Sequence, residues 1–225
     1  AQVAGLINFS TKKHRGAQVA GLMNINTGRL YGSQVAGLLN VGNKIKGSQV
    51  GLLNIADSVS GVPFGLLSFV GKGYHKIEIA ADEIMPLHVS FRTGVDRLYN
   101  IFTAGVRPSS ADTVTWMFGY GLGTAPKITK WLSLNIDATA NQLVKGNVEE
   151  LNLLNKIYVG FDFKLAKQLS LAAGITYNFR IYDSNFTQHA KAFDYYTPTF
   201  LDEGKLINNT SYQSWLGAKI GIRFL

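Results

Sequence analysis

The chain has 225 residues, of which 46% are apolar and 16% are charged, with a net charge of +8 and no cysteine. The lack of cysteine excludes a disulfide framework, a thiolate metal site and a cysteine nucleophile. A globular protein usually carries about 25% charged residues, yet no stretch here approaches the roughly 20 apolar residues of a membrane-spanning helix. This combination favours a β-barrel, whose strands distribute their apolar residues by alternation.

Basic residues are spread along the chain, and Lys12, Lys13 and Arg15 form its only tight cluster. A nucleic-acid partner would need basic residues on one face among stacking aromatic residues, so the spread argues against nucleic acid. Contact with anionic lipid headgroups or lipopolysaccharide is the preferred explanation of the charge. The chain begins at Ala1 without a signal-peptide pattern, which predicts a mature or trimmed product.

Residues 1–73 are predicted to be a repeat region. A Gln-Val pair leads the first four copies, at Gln2, Gln18, Gln34 and Gln49, and Pro63-Phe64 replaces it in the fifth. The copies are spaced by 16, 16, 14 and 14 residues, and their cores read GLIN at 5–8, GLMN at 21–24, GLLN at 37–40, GLLN at 51–54 and GLLS at 65–68. Five copies at such regular spacing indicate a repeat architecture.

Two architectures are compatible with these repeats. In the first, which we favour, each repeat is one barrel strand joined to the next by a tight turn. In the second, each repeat is one coil of a β-solenoid, with Val19, Val35 and Val50 stacked in a column. The fourth copy lacks the Ala that follows Gln-Val in the first three, so a strand would reverse its facing there unless a bulge absorbs the difference.

Residues 74–225 are predicted to be an antiparallel β-meander that completes the barrel. Apolar and polar residues alternate with the period of two typical of strands, clearly in seven segments and less clearly at 101–107. We expect lipid to cover the side that bears Ile157, Phe161, Leu171 and Ile222. The eight predicted strands lie near residues 76–82, 87–94, 101–107, 114–123, 132–139, 157–165, 169–180 and 215–225.

The connections predict the orientation of the meander. Short turns at 96–99, 126–129 and 167–168 share one side, and loops at 83–86, 109–112, 145–155 and 183–210 share the other. Bacterial barrels have short periplasmic turns and longer extracellular loops. The fold class is therefore all-β, an antiparallel transmembrane β-barrel of about 12–14 strands if the repeats are strands and of eight if they are not. The count of thirteen with the repeats is odd, whereas single-chain bacterial barrels have an even number of strands. The alternative is an N-terminal β-solenoid plus a small barrel.

The QVAGLxN core followed by such a meander resembles Gram-negative envelope proteins in which surface repeats are joined to an outer-membrane β-barrel. The final Arg223-Phe224-Leu225 also looks like the C-terminal signal that barrel-assembly machinery reads, with its aromatic residue one position short of the end. The resemblance implies a bacterial outer-membrane location with the long loops extracellular. It implies no catalytic residue.

Two groups of residues are candidates for a functional role. Polar residues predicted to face the lumen either fill it with ion pairs, which we favour, or line a pore; they are Lys76, Glu78, Asp82, Arg92, Arg107, Asp137, Asp162, Lys164, Arg180, Lys219 and Arg223. Aromatic residues of the 183–210 loop are candidates for binding glycans or proteins, or else fold over the barrel mouth; they are Phe186, Phe193, Tyr195, Tyr196 and Phe200. Trp116, Trp131 and Trp215 lie near strand ends, where an interfacial belt would place them.

No motif points to catalysis, a metal or a cofactor. The four histidines are scattered without ligand spacing, and His189, which lies near Asp183 and Asp194 in the longest loop, is interpreted as solvated surface. The glycines of 119–123 are interpreted as small lumen-facing residues rather than as a phosphate loop. The predicted function is a non-enzymatic outer-membrane β-barrel with a structural or interaction role, either a surface protein or a subunit of an envelope complex, with lipid, lipopolysaccharide and other envelope proteins as partners. The alternatives are a pore for small solutes and a surface-exposed solenoid adhesin.

Overall fold

The computed structural model describes residues 1–108, 114–145, 151–185, 193, 197–207 and 209–224. The chain divides into two compact units, which we call the solenoid unit (residues 1–75 and 92–100) and the barrel unit (76–91 and 101–225). The named elements of both units are strands, so the chain is all-β as predicted.

The repeats form two parallel sheets in the solenoid unit, with one strand of each repeat in each sheet. The first sheet has the order β1-β4-β6-β8-β10, and the second has the order β2-β5-β7-β9-β11 with β3 also paired to β5. The strands are β1 (Gln2–Ala4), β2 (Ile7–Ser10), β3 (His14–Arg15), β4 (Gln18–Ala20), β5 (Met23–Tyr31), β6 (Gln34–Ala36), β7 (Leu39–Lys46), β8 (Gln49–Val50), β9 (Leu53–Val59), β10 (Pro63–Phe64) and β11 (Leu67–Val70).

Equivalent residues of successive repeats pair with each other, and their buried amides form two ladders inside the coil. Gln34 donates to the Gln18 side chain at 3.0 Å, and Gln49 donates to Gln34 at 2.8 Å. In the second ladder Asn24 donates to Asn40 at 3.0 Å, and Asn40 donates to Asn54 at 2.9 Å. Gln18, Gln34, Asn24, Asn40 and Asn54 each donate and accept, whereas the Gln49 side-chain oxygen has no partner among the described residues. These ladders explain why Gln and Asn recur in the first four repeats.

Glycine recurs in the core because adjacent coils approach closely at the corner between the two sheets. A Cβ built on Gly21 would lie 2.1 Å from the carbonyl oxygen of Gly5, and one on Gly37 would lie 2.5 Å from that of Gly21. The Ala missing from the fourth repeat falls at the same corner, after Val50. The strand pairing resumes with Leu53 opposite Leu39, so no bulge within a strand is needed.

The favoured interpretation of the repeats as barrel strands is therefore replaced by its alternative, the solenoid. Successive barrel strands would run antiparallel, whereas these strands run parallel, with Val19, Val35 and Val50 in one column. The amide ladders need like residues in register, and a parallel stack of coils supplies this register.

The barrel is antiparallel, has eight strands and is closed by pairing between β12 and β20, in agreement with the predicted meander. An additional short strand, β19, pairs with the first part of β20 and was not predicted. The strands are β12 (Tyr74–Asp82), β13 (Leu87–Val95), β14 (Leu98–Arg107), β15 (Thr115–Thr124), β16 (Leu132–Lys145), β17 (Asn152–Ala166), β18 (Leu169–Asp183), β19 (Asp202–Ile207) and β20 (Thr210–Phe224).

The connections keep the predicted sides. Residues 96–97, 125–131 and 167–168 connect strands at one end, and 83–86, 108–114, 146–151 and the segment from 184 to 209 connect them at the other. The 125–131 connection is longer than the predicted turn at 126–129. The predicted difference in loop length is therefore clear only for the two shortest turns and the longest loop.

Candidate functional site: the outer belt and the filled lumen

The outer surface of the barrel wall is apolar. Ile157, Phe161 and Ile222 are 50%, 43% and 45% exposed, and Leu171 is half-buried. Residues that alternate with them, such as Tyr158 and Arg223, are buried. An apolar exterior around a polar interior is the reverse of the arrangement in a water-soluble protein. We call the outward apolar residues of the barrel strands the outer belt.

One end of the lumen is filled by a network of ion pairs around Glu78 and Arg223. The Arg223 Nε donates to Glu78, and its Nη1 contacts Asn135 at 2.7 Å and Asp162 at 3.2 Å. Lys219 donates to the other oxygen of Glu78 at 3.0 Å. The side chains of Glu78 and Arg223 are fully buried. Burial of these charges is tolerated because each has charged and hydrogen-bonding partners.

A second buried cluster is centred on Asp82. One carboxylate oxygen accepts hydrogen bonds from the backbone nitrogens of Ile84 at 2.9 Å and Met85 at 2.7 Å. The other pairs with Lys156 and lies 3.8 Å from His88 Nδ1. Asp82 therefore fixes the 83–86 connection while it neutralises a buried lysine.

Beyond Asp82 the barrel interior holds an apolar cluster together with the buried cations Arg107 and Arg180. Ile84 and Met85 pack in a buried cluster with Met117, Leu143, Leu154 and Trp215, against which Phe193 and Phe200 also pack. The ring centroids of Phe193 and Trp215 are 5.5 Å apart, and those of Phe200 and Trp215 are 6.1 Å apart. The lumen is thus filled by an ion-pair network at one end and, at the other, by an apolar cluster that Arg107 contacts at the Ile84 carbonyl and Arg180 contacts at the Phe193 ring.

Glu83 ties the 83–86 connection to the closing strand. Its Oε1 accepts hydrogen bonds from Asn178 at 2.8 Å and from the Trp215 indole at 2.9 Å, and its Oε2 accepts one from the Ala218 backbone at 3.2 Å. These contacts lie where β20 is paired with neither β12 nor β19, because β12 reaches only to Lys219 and β19 only to Ser214. Glu83 therefore supplies backbone hydrogen bonding that the sheet lacks at this point. A recess of about 690 Å³ opens beside it, lined mainly by small residues such as Ala81, Gly174 and Gly217.

The predicted lumen residues are mostly buried, as an inward orientation requires. Lys76 is half-buried, and Lys164 is exposed at the end of β17. Arg92 is buried in the solenoid unit, where its guanidinium lies 5.8 Å from the Tyr99 ring centroid. Asp82 and Lys219 are buried in their side chains only. The other buried members are Glu78, Arg92, Arg107, Asp137, Asp162, Arg180 and Arg223.

Among the residues that sequence reasoning did not name as lumen-facing are the buried His88, Lys145 and Lys156 and the half-buried Glu83. Lys145 and Lys156 lie beyond the predicted ends of their strands, although the alternation extended to them would have found both. Glu83 lies in a connection and has no periodic signal at all.

The loop aromatics are only partly described. Phe193 and Phe200 pack on Trp215, in line with the alternative in which they fold over the barrel mouth. Phe186, Tyr195 and Tyr196 lie outside the described residues. Binding of glycans or proteins by this loop stays a prediction.

The placement of Trp215 in an aromatic belt was wrong. Trp116 and Trp131 are each 57% exposed on the outside of the barrel, whereas Trp215 is fully buried. Trp215 precedes the outward Leu216 by one position, so the period of two turns it inward.

In the part of the chain that the structure describes, no three His, Asp or Glu residues are grouped as a metal site would require. No helix among the described residues has the length and hydrophobicity needed to cross a membrane, a finding that does not concern strands. Comparison with models of known protein families and with curated proteins found no match to this chain.

Proposed function

We propose that this chain is a non-enzymatic β-barrel protein of a Gram-negative outer membrane, with a structural or interaction role as a surface protein or a subunit of an envelope complex. The observation that carries the proposal is the outer belt around a closed barrel whose charges lie inside. Monomeric soluble proteins rarely expose contiguous apolar patches of more than a few hundred Å². A lipid bilayer solvates such a belt, and a closed barrel leaves no unpaired edge within it.

The filled lumen supports a structural or interaction role over transport. Eight strands enclose a space just wide enough for side chains, and the Glu78–Arg223 network and the Trp215 cluster occupy it. The charged residues of the lumen take part in ion pairs, hydrogen bonds and ring contacts rather than lining an open site. In the proposed orientation the loop from 184 to 209 is extracellular and presents the surface available to an envelope partner.

Single-tryptophan variants test the membrane placement. Retaining only Trp131, only Trp116 or only Trp215 gives three proteins, each with one indole. In vesicles containing lipids brominated on the acyl chain, we expect quenching of Trp131 and Trp116 but not of the buried Trp215. Equal quenching of all three, or recovery of the wild type as a soluble monomer without detergent, would contradict the proposal.

Planar-bilayer recordings separate this role from a solute pore. A filled barrel is expected to give no steady conductance. Replacement of the ion-paired Lys219 and Arg223 by Ala should then be needed before any current appears. A steady conductance of the wild type would favour the pore instead.

A further inference from the structure

The solenoid unit is also apolar on its outside. Its interior holds the Gln and Asn ladders, while the Val and Leu of each repeat core point outward in two columns. Val19, Val35 and Val50 are exposed in one column, and Leu22, Leu38 and Leu52 are exposed in the other. We call these the apolar columns. They lie in successive coils with the same spacing as the strands, about 4.8 Å, and so form a continuous surface.

Basic residues form a separate strip on the same coils. Arg15, Tyr31 and Lys46 occupy equivalent positions in three successive coils, and Arg29 pairs with Lys44 in the same way. Lys13 lies over the Tyr31 ring with its Nζ 4.9 Å from the centroid. We call Lys13, Arg15, Arg29, Lys44 and Lys46, grouped around Tyr31, the basic strip.

Among the described residues, the cations of the basic strip are not neutralised by ion pairs. All five cations are exposed, and within the described residues no carboxylate forms an ion pair with any of them. Asp57, the only acidic residue in the first 75 positions, pairs with Lys72 at 2.9 Å. The solenoid unit contains nine Lys and Arg against two Asp, a net charge of +7 out of the chain's +8. Charge that is scattered in the sequence is therefore concentrated in this unit.

A recess within the basic strip has the chemistry of a phosphate site. It has a volume of about 320 Å³ and is lined by Arg29, Lys44 and Lys46 together with Ser58 and Ser60. Guanidinium, ammonium and hydroxyl groups all donate hydrogen bonds to phosphate oxygens.

The apolar surface and the basic strip meet along individual strands. In β5 the outward residues are Met23 and Ile25 in the first half and Arg29 and Tyr31 in the second, with a shift of register between Asn26 and Arg29. β7 repeats the arrangement with Leu39 and Val41 followed by Lys44 and Lys46. An apolar face bordered by Lys and Arg is the pattern of elements that lie in the plane of a membrane interface.

We propose that the solenoid unit lies in the interface of a bilayer that contains anionic lipid, with the apolar columns among the acyl chains and the basic strip on headgroup phosphates. This inference rests on the proposed function, since it places the solenoid unit at the membrane that holds the barrel. It differs from the adhesin alternative, in which the repeats face water. Each Lys or Arg near an anionic surface contributes about a fivefold gain in binding, so loss of three should weaken it on the order of 100-fold.

The full chain can be tested because it contains no cysteine, so that a single cysteine can carry an environment-sensitive dye. Leu38→Cys places the dye in an apolar column, and Lys205→Cys places it at an exposed position of β19, outside the solenoid unit, as a control. The protein is reconstituted into phosphatidylcholine vesicles with or without phosphatidylglycerol, and spin-labelled acyl chains are used to quench the dye. The protein retains Trp131 as its only tryptophan, so that quenching of Trp131 in the same sample reports independently on insertion of the barrel.

We expect quenching at position 38, but not at position 205, that increases with phosphatidylglycerol. The comparison is made at the lipid composition that gives half of the maximal dye quenching in Leu38→Cys. There the addition of Arg29→Gln, Lys44→Gln and Lys46→Gln should abolish the quenching. These side chains point into water, so an unchanged Trp131 signal verifies that the variant remains folded and inserted. High salt should act in the same direction as the variant.

Three results would overturn the inference while the proposed function stands, because Trp131 is still quenched in each of them. The dye at position 38 could remain unquenched, or it could be quenched equally without anionic lipid. In the third result, protein or a soluble anionic polymer changes the dye emission while the spin-labelled acyl chains do not quench it. If Trp131 is itself unquenched, the proposed function fails and this inference fails with it.

Discussion

The carboxylate of Glu83 accepts a hydrogen bond of 2.9 Å from the indole nitrogen of Trp215, although 132 residues separate the two in the chain. The same carboxylate reaches Asn178 and the Ala218 backbone. This one side chain therefore connects the 83–86 connection, β18 and β20, where β20 has no strand partner on one edge.

Glu83→Ala should destabilise the barrel by about 2–3 kcal/mol, because it leaves the buried Trp215 indole without an acceptor and removes one of the two acceptors of the Asn178 amide, the other being Thr176. In a variant whose only tryptophan is Trp215, the emission should also shift to longer wavelength as water enters. Glu203→Ala is the matched control, since Glu203 is exposed and accepts only one side-chain bond, from Gln213 at 3.3 Å. Equal stability of the two variants would show that the Glu83 contacts contribute little.

Glu78→Gln should be more damaging than the loss of a surface acid. It removes the charge shared by Arg223 and Lys219, and breaking a buried ion pair costs about 3–5 kcal/mol. Asp57→Asn, which disrupts an exposed pair with Lys72, should cost no more than about 1 kcal/mol. Denaturant unfolding measures both, followed by tryptophan fluorescence for the barrel and by hydrogen exchange for the solenoid unit, and a similar loss in the two variants would contradict the prediction.

Gly21→Ala should destabilise the solenoid unit by about 1–3 kcal/mol, because its Cβ would collide with the Gly5 carbonyl oxygen. Gly5→Ala makes the same chemical change where nothing lies within 4 Å of the new atom. Denaturant unfolding followed by hydrogen exchange of the repeat residues separates the two variants. If Gly5→Ala were equally harmful, backbone flexibility rather than close approach would explain the glycine.

Asn24→Ala and Asn26→Ala are expected to differ sharply, although both residues are fully buried. Asn24 donates to Asn40 and to the Val35 carbonyl and accepts from Asn8, so its loss should cost about 1–3 kcal/mol. The Asn26 amide has no hydrogen-bond partner among the described residues, and the equivalent position of a later coil is already alanine, at Ala56. Asn26→Ala should therefore be neutral or stabilising, and a loss as large as that of Asn24→Ala would contradict the ladder argument.

Tyr31 reports on the basic strip. The hydrogen bond from Arg29, at 3.4 Å, lowers the pKa of Tyr31 below its ordinary value of 10.0, and the charges of Lys13 and Lys46 act in the same direction. Arg29→Gln should raise this pKa, measured as the phenolate absorbance that Tyr31→Phe removes from the titration. Because the pKa is lowered in the folded protein, the phenolate interaction stabilises the fold above pH 10 and is lost as the pH falls through the Tyr31 pKa. Arg29→Gln should therefore not change stability at neutral pH.

The barrel was predictable from sequence because its alternation is local: Ile157, Phe161 and Ile222 each differ in polarity from their chain neighbours. The repeat was equally visible, but its architecture was not. A Gln-Val-Ala segment alternates in the same way in a barrel hairpin and in a solenoid coil, and only the partner of Gln18, which is Gln34 in a parallel pair, distinguishes them. Single residues in connections were beyond sequence reasoning, since Glu83 acts through Trp215 and no periodic pattern joins the two. The concentration of charge in the solenoid unit likewise depends on which residues stack, such as Arg15, Tyr31 and Lys46.

Closure of the wall by β12 and β20 has a consequence for how the chain folds. Glu78 and Arg223 meet across a separation of 145 residues, and until they do, both flanking strands present unpaired edges that invite association with other chains. Contacts between residues so distant in sequence form slowly, because the intervening segment must lose its conformational freedom first. The folding rate of the barrel is therefore expected to be set by the pairing of β12 with β20. An assembly factor that covers the edges of these two strands would raise the yield of folded protein without altering its final stability.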